Sequence, residues 1–196
     1  MDQSQKKSRI QGVTSKEYNG IKYRSTLEAN TAEMFDRLGI PFEYETKKIT
    51  LLEGFHSPFQ KEKVRAIHYT PDFIIKNSII IECKGFATPE WNNKKKYIFK
   101  YLMEKEPGTC FYEIHNCKGE LLQALDKNWS YLGYAIRVTR KPKRTDTSMS
   151  TLYSSIEEAF KGLNLEGRSY GPLMKSFLGE ASYVYGYNWK IVKINL

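Results

Sequence analysis

Two short apolar runs, three residues apart, constrain this chain more than any other feature. Phe73-Ile74-Ile75 and Ile79-Ile80-Ile81 flank Lys76-Asn77-Ser78. Short β-branched runs around a polar turn are strands, and their unbroken apolar character predicts central rather than edge positions. They read as one hairpin, Ile67 to Ile75 and Ile79 to Cys83. A three-residue loop places Asp72 directly opposite Glu82, whereas a two-residue turn slips the register by one and leaves them diagonal. Directly opposed side chains have Cβ atoms about 4.5–5.5 Å apart. Two carboxylates that close beside apolar strands need a proton or a cation between them. A hard divalent ion such as Mg²⁺, with Mn²⁺ as a substitute, suits oxygen ligands and keeps waters for chemistry.

Side chains alternate along a strand, so Lys84 shares the face of Glu82 while Ile81 and Cys83 point the other way. An ammonium beside a metal can orient an attacking water and stabilise charge building on a phosphate. A solvated edge hairpin would also carry Asp, Glu and Lys, but the flanking isoleucines argue for buried strands and hence for a site.

The surrounding elements alternate between the two periods. Residues 1–17 are polar, and Asn19-Gly20 signals a hairpin turn. Ser25-Thr26-Leu27-Glu28 is a capping box opening a helix that Gly39 and Pro41 stop. Phe42 to Leu52 reads as a strand, Gly54 to Val64 as a polar loop, and Pro89 to about Glu104 as a helix. Phe111 to Ile114 and Tyr131 to Val138 read as strands, with a helical turn or two from Glu120 to Leu125. The order predicts an α/β fold with a mixed central sheet flanked by helices.

Charge divides the chain unevenly. It carries 31 Lys and Arg against 22 Asp and Glu, a net of +9, which favours a polyanionic partner. Residues 135–196 hold ten basic and five acidic groups, and Arg140 to Ser148 is a basic linker. The organisation expected is an N-terminal arm over 1–17, a catalytic domain over 18–138, a linker over 139–150 and a DNA-binding module over 151–196. In that module Ser154/Glu157 and Ser155/Glu158 offer capping boxes for one helix, Ser169 can cap a second, and Tyr183 to Ile194 closes as strand. Two short helices joined by a tight turn suggest a helix-turn-helix. Its DNA contacts would be Arg168, Ser169, Tyr170 and Lys175, joined by Arg140, Lys141, Lys143 and Arg144 from the linker.

No apolar run approaches the roughly 18 residues that span a bilayer, so no membrane partner is expected. The N-terminus lacks an apolar signal region, and three cysteines do not make a disulfide framework, so a cytoplasmic location is expected. Cys110, His115 and Cys117 lack zinc-site spacing and read as ordinary side chains. His68 either points toward the carboxylates or is merely packed or solvated. Lys94 and Lys95, early in the helix after the carboxylate strand, are candidates for phosphate contact. Trp91, Tyr97, Phe99 and Tyr101 read as core.

Pro71-Asp72 with Glu82-Cys83-Lys84 resembles the motif of the PD-(D/E)XK nuclease superfamily. Tyr23 to Ala29 and Leu38 to Glu45 are similar to the first helix and strand of its small phage and transposon members, the phage endonuclease I type of junction resolvase and the TnsA-like nucleases. The resemblance covers about residues 18–115. It implies a Mg²⁺-dependent phosphodiesterase with Glu28, Asp72, Glu82 and Lys84 as the catalytic set. Asp72, Glu82, the Cys83 carbonyl and Glu28, directly or through water, would hold the metal; Glu28 has the helix cap as an alternative role. The tail, with Tyr185-Gly186-Tyr187-Asn188-Trp189-Lys190, resembles the NUMOD-type DNA-binding repeats of phage homing endonucleases. Together these imply a homing-type endonuclease cutting duplex DNA, with a Holliday-junction resolvase and a non-catalytic DNA-binding protein as alternatives. A homodimer is expected, since cutting two strands takes two active sites. No small-molecule cofactor is expected.

Overall fold

The computed structural model describes residues 14–141 and 149–194; Lys143 and Arg144 lie outside them. Strands β1 (Lys16–Tyr18) and β2 (Ile21–Tyr23) form the first hairpin, turned by Asn19 and Gly20 at positive φ. Helix α1 (Thr26–Leu38) follows, then strands β3 (Glu43–Tyr44), β4 (Ile49–Leu52), β5 (Ile67–Tyr69), β6 (Phe73–Ile75) and β7 (Ile79–Cys83). Helix α2 (Pro89–Lys105) leads to β8 (Cys110–Ile114), helices α3 (Gly119–Asp126) and α4 (Trp129–Leu132), and strand β9 (Tyr134–Arg140). Strand β10 (Ser150–Tyr153), helices α5 (Ile156–Gly162) and α6 (Gly171–Phe177), and strand β11 (Tyr187–Lys193) complete the order.

The central sheet runs β3-β6-β7-β8, antiparallel except for the parallel β7–β8 pair. A parallel pair needs a crossover, and α2 supplies it. Every residue of β7 is buried, as expected for a strand covered on both faces. Ile79, Ile81 and Cys83 face one core with Ala29, Ala32 and Phe35 of α1. Ile80 faces the other, with Ile98 and Leu102 of α2 and with Ile49 and Tyr69 of the separate β4–β5 pair. Alternation thus aims Glu82 toward α2 and β5.

Helix α1 has the cap its sequence predicts. The Ser25 hydroxyl accepts the Glu28 N–H at 3.1 Å. At the other end Gly39 takes φ 69°, and the N–H groups of Gly39 and Ile40 close back on the Asp36 and Phe35 carbonyls.

Four sequence expectations change. Ile67 to Ile75 is not one arm of the hairpin: Ile67–Tyr69 pairs with β4, and only Phe73–Ile75 pairs with β7. Phe42 to Leu52 is two strands: Glu45 adopts φ 50° and donates its N–H to the Asp72 carbonyl, so the chain leaves the central sheet and β4 pairs with β5. Tyr131 belongs to α4, which Gly133 ends in the left-handed region, so the strand begins at Tyr134. Tyr185 and Gly186, both at positive φ, form a turn that confines the last strand to β11.

Strand β9 is the middle strand of a second sheet, β10-β9-β11, antiparallel to both neighbours. Ile136 and Val138 of β9 share one core with Phe160 of α5, Leu173 and Met174 of α6, Trp189 of β11, and Leu121 and Leu125 of α3. Asp126, at the end of α3, fastens these parts. Its buried carboxylate accepts the N–H groups of Ile156 (2.5 Å) and Glu157 (3.0 Å), the Tyr170 hydroxyl (2.9 Å) and the Trp129 indole N–H (3.1 Å). No helix among the described residues is long and apolar enough to cross a membrane.

Replacing Asp126 with Asn turns an acceptor toward donors that cannot all be satisfied. Asp126→Asn should cost about 2 kcal/mol, lowering Tm by about 4–8 °C for a chain of this size. Thermal unfolding followed by circular dichroism checks this; a Tm within 1 °C of the parent would contradict it.

Candidate active site

Register carries the first part of the site. Phe73 pairs with Ile81, Ile74 with Ile80 and Ile75 with Ile79, around the three-residue loop 76–78 in which Lys76 and Asn77 take positive φ. That is the register that brings Asp72 and Glu82 to the same end of the hairpin. Asp72 turns one carboxylate oxygen onto the Cys83 N–H at 2.8 Å. Both carboxylates are almost wholly buried, at 3% and 2% exposure.

Two buried acids side by side resist simultaneous ionisation. Burial, and then the Glu82 charge, push Asp72 up to about 7, against the opposing pull of Lys84 and the Cys83 N–H. Glu82 is held at both oxygens. Oε1 pairs with the Lys84 ammonium at 2.5 Å, and Oε2 accepts the Tyr69 hydroxyl at 2.7 Å. Burial and the neighbouring Glu82 raise the Tyr69 hydroxyl far above its ordinary value, so it remains the donor.

Lys84 is fixed from several sides. Its ammonium stands 4.2 Å from the centre of the Trp91 ring, a cation–π contact. Trp91 donates its indole N–H to Glu113 at 2.9 Å, and Lys95 reaches the same carboxylate at 2.9 Å. Burial alone would raise Glu113, but these hydrogen bonds outweigh it and hold its carboxyl below the usual range. His115 lies 2.6 Å from the Lys84 carbonyl through Nδ1. A carbonyl can only accept, so Nδ1 carries the proton.

Glu28 is buried beside this set, and both of its oxygens are engaged. The Ser25 hydroxyl donates to Oε1 (2.8 Å), while the Tyr44 hydroxyl (2.6 Å) and the Arg24 N–H (3.0 Å) donate to Oε2. The box therefore closes on Arg24 rather than on the Ser25 N–H. The Arg24 guanidinium reaches Asp72 Oδ1 at 3.4 Å and also pairs with Glu45. Lys94 is half-buried with its ammonium 5.8 Å from the Tyr69 ring centre, and that burial lowers its pKa although Glu82 opposes the shift.

Other candidates sit apart from this cluster. His68 is exposed and bonds the Thr50 hydroxyl at 3.2 Å, the solvated alternative. Tyr97 and Phe99 are exposed rather than core, because only Ile98 and Leu102 of α2 are fully turned to the sheet. In the tail, Arg140, Lys141, Arg168, Ser169 and Lys175 are exposed. Arg168 and Lys141 lie over the rings of Tyr185 and Tyr183, each 5.5 Å away. Ser169 accepts the Gly171 N–H at 3.3 Å, close to its expected capping position. Tyr170 is taken up by packing on Phe160 and by its bond to Asp126.

Sequence reasoning missed Tyr69, Trp91, Arg24 and Glu113 as parts of this cluster. Tyr69 lies on a strand of a different pair from Asp72, with Pro71 between them, so alternation counted back from Asp72 does not reach it. Glu113 and His115 come beside Lys84 through the parallel β7–β8 pairing, which links segments about thirty residues apart in sequence.

The donor set fits a small hard cation that retains several waters: two buried carboxylates side by side, one of them pushed toward neutrality by its burial and by the charge of the other. Among the described residues no group of three or more His, Cys, Asp or Glu side chains is placed to hold a metal ion together. Any ion would therefore rest mainly on Asp72 and Glu82.

The raised Asp72 has a consequence for stability. The folded state keeps a proton that the unfolded chain sheds above about pH 4, so metal-free protein loses stability as pH rises from there toward about 7. Asp72→Asn keeps an acceptor for the Cys83 N–H and removes the titration. In a chelator, the Tm of the variant relative to the parent should rise by about 5 °C or more between pH 5 and pH 8.5. A constant difference across that range would contradict this account.

The chain matches the family model for phage endonuclease I over residues 10–107. No curated protein and no solved structure matches it. The matched span is half of the chain and contains Arg24, Glu28, Tyr69, Asp72, Glu82, Lys84, Trp91 and Lys94. Phage endonucleases act on DNA, and the buried carboxylates and their lysine all fall inside the match: the chain belongs to the phage endonuclease I family.

Proposed function

We propose that this protein is a Mg²⁺-dependent DNA endonuclease of the PD-(D/E)XK kind that hydrolyses phosphodiester bonds by direct attack of water. The observation that carries the reading is the pair of buried carboxylates, Asp72 and Glu82, with the Lys84 ammonium 2.5 Å from Glu82. Asp72 and Glu82 hold the Mg²⁺, or Mn²⁺ in its place, with the Cys83 carbonyl a further ligand and Glu28 supporting the shell directly or through water. When bound, the ion makes water a better nucleophile and offsets charge at the phosphate.

The chain's own residues do the rest. Tyr69 and Lys84 fix the two oxygens of Glu82, so its direction does not depend on the ligand. Lys84, held against Trp91, orients the attacking water and stabilises the negative charge that builds on the phosphate oxygens. One P–O bond forms from water, the bond to the leaving sugar oxygen breaks, and that oxygen gains a proton. Lys94, whose ammonium lies near the Tyr69 ring, and Arg24, beside Asp72, contact the phosphates of the substrate in this reading.

The preferred substrate is duplex DNA cut at chosen sites by a homodimer, in the manner of homing endonucleases; the strongly basic tail supports this. Four-way junctions are the second reading, favoured by membership of the endonuclease I family, whose matched span ends before the tail. Long duplex DNA and a synthetic junction, each incubated with and without Mg²⁺ and mapped at the ends, separate the two. Mg²⁺-dependent ends at a few duplex positions support the first reading, and cleavage confined to the junction supports the second. No Mg²⁺-dependent ends on either substrate would overturn the endonuclease reading.

Lys84→Ala should lower cleavage at least about a hundredfold. Affinity measured in Ca²⁺ should stay within a few fold, since one lysine is a small part of the phosphate contacts. Affinity falling in step with activity would make Lys84 a binding residue.

A further inference from the structure

The second sheet has two unlike faces. Trp189 pairs with Val138 across β11 and β9, and both are buried toward α5 and α6. The next pair along the ladder, Lys190 with Arg137, must point the other way. Both are exposed, as is Leu152, which faces Arg137 from β10. The open face thus presents two cations directly opposed across an antiparallel pair. Like charges so placed destabilise a sheet. Neither forms an ion pair with an acidic side chain among the described residues. Thr139, two positions along, continues the same face with a hydroxyl able to contact a phosphate, while Asn188 opposite it donates its amide to the Ser182 carbonyl at 2.8 Å.

We propose that this open face is a docking surface for the phosphate backbone of duplex DNA, with Arg137 and Lys190 as its paired contacts. The proposal rests on the DNA endonuclease reading and moves the principal contact of the tail from the α5–α6 helix pair to the sheet behind it. Charge complementarity selects the occupant: the uncompensated repulsion between the two side chains is relieved by an anion that spans both. Backbone contact of this kind is sequence-independent and holds an arm of duplex in place. The helical side offers less, because Tyr170 is already bonded to Asp126.

The test uses the full chain and a labelled duplex of about 30 base pairs in a chelator, with Kd measured across a salt series. Two lost phosphate contacts should reduce the slope of log affinity against log salt by about 1.8 in Arg137→Gln/Lys190→Gln. The matched variant Arg168→Gln/Lys175→Gln, which removes the same charge from the helical side, should change the slope by less than half as much. Lys190→Glu guards against a folding artefact. It turns the repulsive pair into an attractive one, so Tm should rise by about 1–3 °C while DNA affinity falls. Parental slope in Arg137→Gln/Lys190→Gln, with the wild-type protein binding normally, overturns this surface alone. Absence of duplex binding by the wild-type protein overturns the surface together with the duplex reading, and leaves the four-way-junction reading to its own cleavage test. A loss of affinity in Lys190→Glu accompanied by a lower Tm also counts against the proposal.

Discussion

The molecule is organised around two carboxylates that its own fold takes out of water. Asp72 and Glu82 are brought together because β6 and β7 pair in one register, and that register exists because both strands are buried on both sides. A slip of one residue would turn the isoleucines of β7 over and move Glu82 to the face of α1. Core packing and site geometry are therefore a single constraint. The local chemistry follows: an acid with a raised pKa, a partner clamped at both oxygens, and a lysine held against an indole ring.

Much of this was legible from residue order. The hairpin, its three-residue loop, the cap of α1 and the limits of α2 follow from turn chemistry and apolar runs, because these are local signals. The side chains that orient the site were not legible. Tyr69 reaches Glu82 from a separate strand pair, and Glu113 reaches Trp91 from a strand joined to β7 through a helical crossover. Such contacts depend on tertiary placement, which no short-range pattern encodes. Glu28 shows a different limit: the residues of a capping box also place its carboxylate next to Asp72, so one motif serves two structural neighbours.

The tail shows how a local motif leaves its packing partners unspecified. Helices α5 and α6 form near where capping and glycine signals put them, yet they share a core with β9, β11 and α3. Asp126 joins these parts by bonding the first N–H groups of α5 and the Tyr170 hydroxyl. A buried carboxylate with four donors is a strong directional tie. The sequence between Leu121 and Trp129 gives little sign of it, because three of the four donors, on Ile156, Glu157 and Tyr170, lie thirty residues or more downstream.

Direct titration of Mn²⁺ followed by its electron paramagnetic resonance signal tests the central claim, that the buried carboxylate pair is a metal site. Binding should tighten as pH rises through about 7, because the ion displaces the proton held by Asp72. Asp72→Asn and Glu82→Gln should each abolish it. Binding that persists in both variants, or that is independent of pH between 6 and 8, would contradict the account.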